Sequence, residues 1–218
     1  IRDRLNKKNT INIGAVYTLG RTLHGDAYKY HQTGAESNGS IYVQSQTGDT
    51  IPNPFKMPHT FGIGLTYVYD NRLTIGVDYT LQKWNTADLA WSKFNKESVE
   101  MNSRTKIAFG AEFVPSYISH NYLKRIRYRM GAYYSSPYNK VSYTSPDTGT
   151  TSFQDGAREY GVSIGFGLPM FQSKSMLNIS GQYIKVSPKF KGLMEENYLR
   201  INIGLTFNER WFMKWKVD

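Results

Sequence analysis

Apolar and polar residues alternate along most of this chain, and that period of two constrains its fold more than any single motif does. Alternation over a short window signals an extended strand with unlike faces, because successive side chains point to opposite sides of the backbone. Ile11, Ile13, Ala15, Tyr17 and Leu19 alternate with Asn12, Gly14, Val16, Thr18 and Gly20. The same pattern holds for Phe61, Ile63, Leu65, Tyr67 and Tyr69, and for Leu73, Ile75, Val77, Tyr79 and Leu81. It returns at Ile107, Phe109, Ala111 and Phe113, and at Ile126, Tyr128, Met130 and Ala132. Three further runs complete the set: Tyr160 to Leu168, Leu177 to Tyr183, and Leu199 to Phe207.

Eight such segments predict eight strands. Each is long enough for the roughly 9–11 residues with which a tilted strand crosses a bilayer. A soluble β-sandwich also alternates, but its strands typically run to only about 5–6 residues. Composition agrees with a two-faced sheet. A mean hydropathy of −0.52 beside 15% aromatic residues is the average expected when apolar and polar positions are interleaved. No run approaches the ~18 apolar residues of a spanning helix. Aromatics lie near strand ends at Tyr67, Tyr69, Phe113, Tyr134 and Phe207, as in the interfacial girdles of outer-membrane barrels.

The connections alternate in length. Asp70-Asn71, residues 169–175 and residues 115–124 are short, whereas 23–58, 85–103, 135–157 and 185–196 are long and polar. Short turns at one end and long loops at the other describe an antiparallel transmembrane β-barrel in the outer membrane of a Gram-negative bacterium. The segment Ile41 to Gln44 is read as part of an extracellular excursion over 24–58, with a small hairpin of its own, because an extra crossing would break the parity of the turns. Residues 1–207 form one domain of strands and loops, and 208–218 an aromatic and basic tail. In that tail Trp211, Phe212 and Trp215 are expected to lie at the periplasmic rim.

The phase of the alternation predicts which residues meet lipid: Leu65, Ile75, Val77, Phe109, Met130, Ile164, Ile201 and Ile203. The opposite face carries Asp78, Arg104, Lys106, Glu112, Arg127, Arg129, Tyr133 and Arg200, the candidates for lining a lumen. They would pair across strands or hold an anionic head group, and buried charges are seldom left unpaired. This face is also rich in glycine, which fits either close approach of a plug or ligand or the bend and twist of a closed sheet.

The formal charge of +10 points to anionic partners such as lipopolysaccharide. No nucleic-acid motif accompanies it, and no nucleic-acid partner is expected. The chain has no cysteine, which removes disulfides and thiol chemistry. Gly161-Val162-Ser163-Ile164-Gly165 matches the spacing of a nucleophile elbow, yet it falls inside an alternating strand with no helix after it. His24, His31, His59 and His120 lack metal-ligand spacing. The pairs Glu97 with Glu100 and Glu195 with Glu196 lie in long loops, where charge is usually solvated. No enzymatic activity, metal or cofactor is expected.

Residues 57–87 carry a resemblance. Met57-Pro58 opens a strand that runs through Phe61-Gly62-Ile63-Gly64-Leu65-Thr66-Tyr67. After Asp70-Asn71-Arg72-Leu73 the returning strand holds Ile75-Gly76-Val77-Asp78-Tyr79 and closes on Trp84. This resembles the FadL-type outer-membrane transporters of hydrophobic compounds. The ending Asn208-Glu209-Arg210-Trp211-Phe212-Met213-Lys214-Trp215-Lys216 resembles Bacteroidetes members of that broad group. The resemblance implies a fourteen-stranded barrel with a lumenal hatch; this chain, with eight strands, is expected to be its C-terminal part, the earlier strands and the hatch lying before Ile1, the alternative being a shortened relative that closes as eight strands. It also implies passive uptake of hydrophobic small molecules such as fatty acids. The alternative is a non-transporting barrel subunit that scaffolds an outer-membrane assembly or secretion complex, with other outer-membrane proteins as partners.

Overall fold

A computed structural model describes residues 2–3, 8–37, 40–53, 55–86, 100–144, 149–170, 175–188 and 194–207. In chain order the strands among them are β1 (Arg2–Asp3), β2 (Asn9–Thr18), β3 (Thr22–Leu23), β4 (Asp26–Ser37) and β5 (Ser40–Pro52). Next come β6 (Phe55–Lys56), β7 (Thr60–Tyr69), β8 (Leu73–Gln82), β9 (Arg104–Phe113) and β10 (Arg127–Ser135). The last are β11 (Lys140–Thr144), β12 (Thr151–Asp155), β13 (Ala157–Pro169), β14 (Met176–Pro188) and β15 (Glu196–Thr206). The helical pieces among the described residues are single 3-10 turns at Trp84–Thr86 and Tyr122–Arg125.

Nine strands form one antiparallel sheet in the order β1-β2-β7-β8-β9-β10-β13-β14-β15. The eight long ones coincide with the eight alternating segments of the sequence. Each pairs with the next in a register free of slips, so the phase of one strand is passed on to its neighbour. Among the described residues the sheet is open, with β1 and β15 as its outer strands rather than as partners of each other.

The tight turn between β7 and β8 forms as its residues dictate. Asp70 and Asn71 take φ values of 49° and 53°, and Arg72 N–H donates to Tyr69 O at 2.9 Å. Two consecutive positive-φ residues make the mirror-image turn whose twist matches a hairpin, and Asp and Asn tolerate it better than other non-glycine residues. The Tyr117 hydroxyl donates to Asn71 O at 2.5 Å, and Val114 N–H donates to Arg72 O at 2.8 Å, which ties this turn to the next one.

At the opposite end the long connections are partly built. β4 and β5 pair with each other along their whole length as a separate two-stranded sheet, as expected for the 24–58 excursion, and Ile41 to Gln44 belongs to β5. The 135–157 connection, expected to be a loop, contains the hairpin β11–β12. Lys140 to Thr144 does alternate, but its five residues fall well short of the roughly 9–11 of a crossing strand, so it does not count among the eight. The residues expected at the periplasmic rim, Trp211, Phe212 and Trp215, lie outside the described residues.

Register sorts the side chains completely. Val77 pairs with Leu65 on one side and Phe109 on the other, Met130 with Ala111 and Ile164, and Ile179 with Ile203. Directly paired residues of antiparallel strands project to the same side. All eight residues expected at lipid therefore share one face, and all eight expected to line a lumen share the other. The apolar face is uncovered: Met130 is 62% exposed, Ile201 68% and Ile203 73%. Among the described residues only Val114, Ile126 and Ile184 are buried hydrophobics, so the sheet has no interior core of its own.

Glycine on the polar face has a local cause as well. A Cβ at Gly161 would lie 2.0 Å from the Tyr133 ring, its register partner, and one at Gly64 would lie 2.5 Å from the Asp78 carboxylate. Each of these two glycines is the bed for a neighbour's side chain, the aromatic rescue of a strand glycine in the case of Tyr133. Gly161→Ala should therefore destabilise the fold by about 1–3 kcal/mol through overpacking. Thermal unfolding in detergent would measure it, and Tyr133→Ala added to Gly161→Ala should recover part of the loss.

Candidate functional site on the polar face

Two clusters of charge occupy the polar face, one near each end of the strands. β9 and β10 supply the first. Their register sets Glu112 opposite Arg129. Arg129 Nε donates to Glu112 Oε2 at 2.7 Å and Arg127 Nη1 donates to Glu112 Oε1 at 3.2 Å. Arg129 Nη1 reaches across β13 to donate to Asn178 Oδ1 at 2.8 Å, and Asn178 Nδ2 donates to Thr206 Oγ1 at 3.4 Å. The chain of contacts thus spans β9 to β15. Gly165 and Gly167, on the intervening strand, leave room for the two arginine stems at 3.7 and 3.1 Å from their missing Cβ positions. Arg127 also lies over the Tyr117 ring, 5.9 Å from its centre, which anchors the 115–126 turn to the sheet.

The second cluster lies at the long-loop end. Ser135 pairs in register with Glu159 and with Lys106. Arg104 Nε donates to Ser135 Oγ at 2.7 Å, and its Nη2 lies 3.5 Å from Glu159 Oε2. The Tyr133 hydroxyl donates to the other oxygen of the Glu159 carboxylate. Lys106 Nζ stands 4.6 Å from the centre of the Tyr133 ring, and Arg104 lies 5.8 Å from that of Tyr138. The rings of Tyr138 and Trp84 are 5.6 Å apart, and Trp84 Nε1 donates to Gln82 Oε1 at 3.1 Å. This network links the start of the 83–103 connection to the strands.

Between the clusters runs a row with three consecutive glycines. Thr66, Gly76, Gly110, Gly131, Ser163, Gln182 and Arg200 are matched in register from β7 to β15. Three adjacent glycines lie in it on β8, β9 and β10, and the Ser163 hydroxyl covers the last of them, 2.9 Å from where a Cβ of Gly131 would be. Ser163, centre of the G-x-S-x-G spacing, lies in mid-strand with its hydroxyl 3.5 Å from Gly131 O. It is not on the strand-to-helix turn that such a nucleophile requires. Among the described residues no three His, Asp or Glu side chains gather as a metal site.

Of the eight residues expected to line a lumen, six are drawn into the two clusters: Glu112, Arg127 and Arg129 in one, Arg104, Lys106 and Tyr133 in the other. Asp78 packs over Gly64, and Arg200 ends the glycine row. Sequence reasoning missed Glu159, the carboxylate on which the second cluster turns. The alternation in the sequence begins at Tyr160, whereas β13 begins at Ala157 and puts Glu159 in phase with Gly161. Ser135 and Asn178 were also missed, because a neutral polar residue on a polar face carries no signal of its own. In the loops, Glu100 pairs with Lys140 at 2.5 Å and Glu195 with Lys185 at 2.7 Å.

A large antiparallel sheet with one uncovered apolar face and one face of paired charges and glycine belongs to the class of two-faced, all-β proteins. The chain belongs to the BamG family, an outer-membrane assembly-related family whose profile matches residues 1–218. No curated protein matches it, and no solved structure does.

Each member of the Glu112–Arg129 pair is about a third exposed, Glu112 at 27% and Arg129 at 37%. A double-mutant cycle with Glu112→Gln and Arg129→Gln should give a coupling of only about 0.2–1 kcal/mol. Equilibrium unfolding would measure it. Glu112→Ala alone should cost more than Thr74→Ala, because it strands two guanidinium groups at once.

Proposed function

We propose that this protein is a membrane-embedded, non-transporting β-protein that scaffolds an outer-membrane assembly complex. In this reading the sheet is part of the wall of an antiparallel transmembrane barrel. The apolar face meets lipid and the charged face looks inward. The short turns lie in the periplasm, and the β4–β5 and β11–β12 hairpins lie outside the cell.

The observation that carries the reading is the in-register apolar face, unbroken over eight strands and left uncovered by anything among the described residues. In water such a face would be a large exposed hydrophobic patch. In a bilayer it is the correct surface, provided the strands are long enough to cross, and they are. Membership of the BamG family supports assembly, with other outer-membrane proteins as partners, over the passive uptake that the FadL-type resemblance implies. The polar face supports the same preference: its carboxylates Glu112 and Glu159 and their arginines satisfy one another, which suits a stiffened wall more than a head-group site.

Two measurements test it. Val77→Arg and Ile201→Arg should each cost roughly 2–4 kcal/mol near the bilayer midplane, whereas Asn202→Arg on the other face should not. Photolabelling from the lipid phase should mark Val77 and Ile201 and spare Gly76 and Asn202. The opposite labelling would invert the register everywhere. Depleting the protein should lower the amounts of many unrelated outer-membrane proteins together. Normal levels combined with lost uptake of one hydrophobic compound would overturn the assembly reading in favour of transport.

A further inference from the structure

The apolar face carries charge at one end only. Over the eight long strands its charged side chains are Arg158 on β13 and Lys185 on β14. Both are basic and both lie toward the long loops, where Lys185 pairs in register with Tyr160 and Arg158 with Ser187. Lys83 joins them one residue beyond β8. Its N–H donates to His59 O at 2.9 Å, which extends the β7–β8 ladder and keeps Lys83 in phase with Leu81. At the turn side the same face holds the register-matched row Tyr69, Leu73, Phe113, Tyr128 and Phe166, which has no charge.

Lys83 belongs to a built pocket. Register brings Tyr17, Phe61 and Leu81 of β2, β7 and β8 into one row on the apolar face. The Tyr17 ring lies 4.9 Å from that of Phe61 and stacks within 9° of the His59 imidazole. Gly20 N–H donates to His59 Nδ1 at 3.2 Å, and the Tyr17 hydroxyl donates to the same nitrogen at 2.7 Å. Nδ1 is thus an acceptor, which makes Nε2 the N–H donor of the neutral ring. Lys83 Nζ stands 5.5 Å from the centre of the Phe61 ring. With Lys56 and Met57 these side chains line a pocket of 360 Å³, within the range of about 300–1,000 Å³ typical of small-ligand sites. Among the described residues Lys185 is met by Glu195 at 2.7 Å, whereas neither lysine of the pocket is met by a carboxylate.

We propose that this pocket binds the phosphorylated sugar head group of a lipid in the outer leaflet, the lipid A part of lipopolysaccharide. The inference rests on the membrane reading above, which puts the apolar face in lipid and the long loops outside the cell. In that frame Tyr17 and Phe61 lie at the membrane–water boundary, the level that aromatic rings favour. Lys56 and Lys83 then stand at the height of the head groups, with their stems along apolar surface and their ammonium groups toward phosphate. His59 Nε2 donates to a phosphate or sugar oxygen, and the Tyr17 and Phe61 rings take the sugar face and the first methylenes of the acyl chains. A cation facing hydrocarbon is expensive, whereas charge-assisted hydrogen bonds to phosphate are among the strong ones. An anionic lipid confined to the outer leaflet also accounts for basic residues at the loop side of this face and none at the turn side.

The test uses the full-length protein extracted from its outer membrane in non-ionic detergent, with bisphosphorylated lipid A as the probe and native mass spectrometry as the readout. One lipid A per protein is expected. Lys83→Gln should weaken binding about fivefold, and Lys56→Gln with Lys83→Gln about thirtyfold, the effect of one and of two basic side chains at an anionic membrane surface. Lys83→Arg, which keeps the charge, should retain the lipid. Lys8→Gln with Lys124→Gln removes as much charge from two exposed turn-side positions and should leave binding unchanged. Lipid A stripped of both phosphates should not be retained, and inorganic phosphate should not displace the intact lipid. Equal retention of the stripped lipid, equal loss in the turn-side pair, displacement by inorganic phosphate, or no retention by the parent protein would overturn the proposal. Heat-modifiable migration confirms that each variant is folded. The lipid-phase labelling described above separates the two readings. Labelling of Val77 and Ile201 without retention of lipid A keeps the membrane placement and removes the site, whereas labelling of Gly76 and Asn202 instead overturns the placement itself and the site with it.

Discussion

Everything in this protein depends on the phase of its strands. The side-chain period of a strand is two, so a slip of one residue would exchange the two faces. The ladder from β2 to β15 contains no such slip, and each strand inherits its phase from the one before. The glycine row, the two charged clusters and the apolar face are therefore consequences of a single choice. Glu112 meets Arg129 because Gly110 meets Gly131, and Val77 meets Phe109 because Gly76 meets Gly110. The Asp70-Asn71 turn sets this register at one point by pairing Tyr69 with Leu73, and the remaining pairings carry it outward.

With three buried hydrophobic side chains among the described residues, of which only Ile184 lies in a strand, the sheet cannot owe its order to an interior core. Its cohesion comes from the main-chain ladder and from side chains that lie flat along the polar face. Tyr133 shows how these combine. Its ring occupies the space left by Gly161, its hydroxyl engages Glu159, and Lys106 stands over its face. The same residue thereby couples β9, β10 and β13. The apolar face contributes only when another apolar medium covers it, which is why the solvent around the sheet is part of the stability problem.

The polar clusters also bear on what the protein is for. A polar face meant to hold an anionic head group would keep cations unpaired at a fixed spot. Here Arg127 and Arg129 share one carboxylate, and Arg104 is held by Ser135 and Glu159. Such a lattice stiffens a wall. Stiffness and a regular apolar surface suit the place in an outer-membrane assembly that we propose for it.

The alternation by itself determined the eight long strands, which residues share a face, and where the tight turns fall. These depend on local geometry, since pleat period and the conformations open to Asp and Asn are properties of short segments. It also picked out six of the residues that form the two clusters. It could not find Glu159, Ser135 or Asn178 as partners, nor the bedding of Tyr133 on Gly161, because these depend on which residue of a distant strand comes opposite. Cross-strand pairing is non-local: Arg129 and Asn178 are 49 positions apart in the chain and 2.8 Å apart in space. The short hairpin β11–β12 and the edge position of β15 likewise appeared only in the tertiary structure. A strand's own sequence records its two faces, and it holds no record of its neighbours.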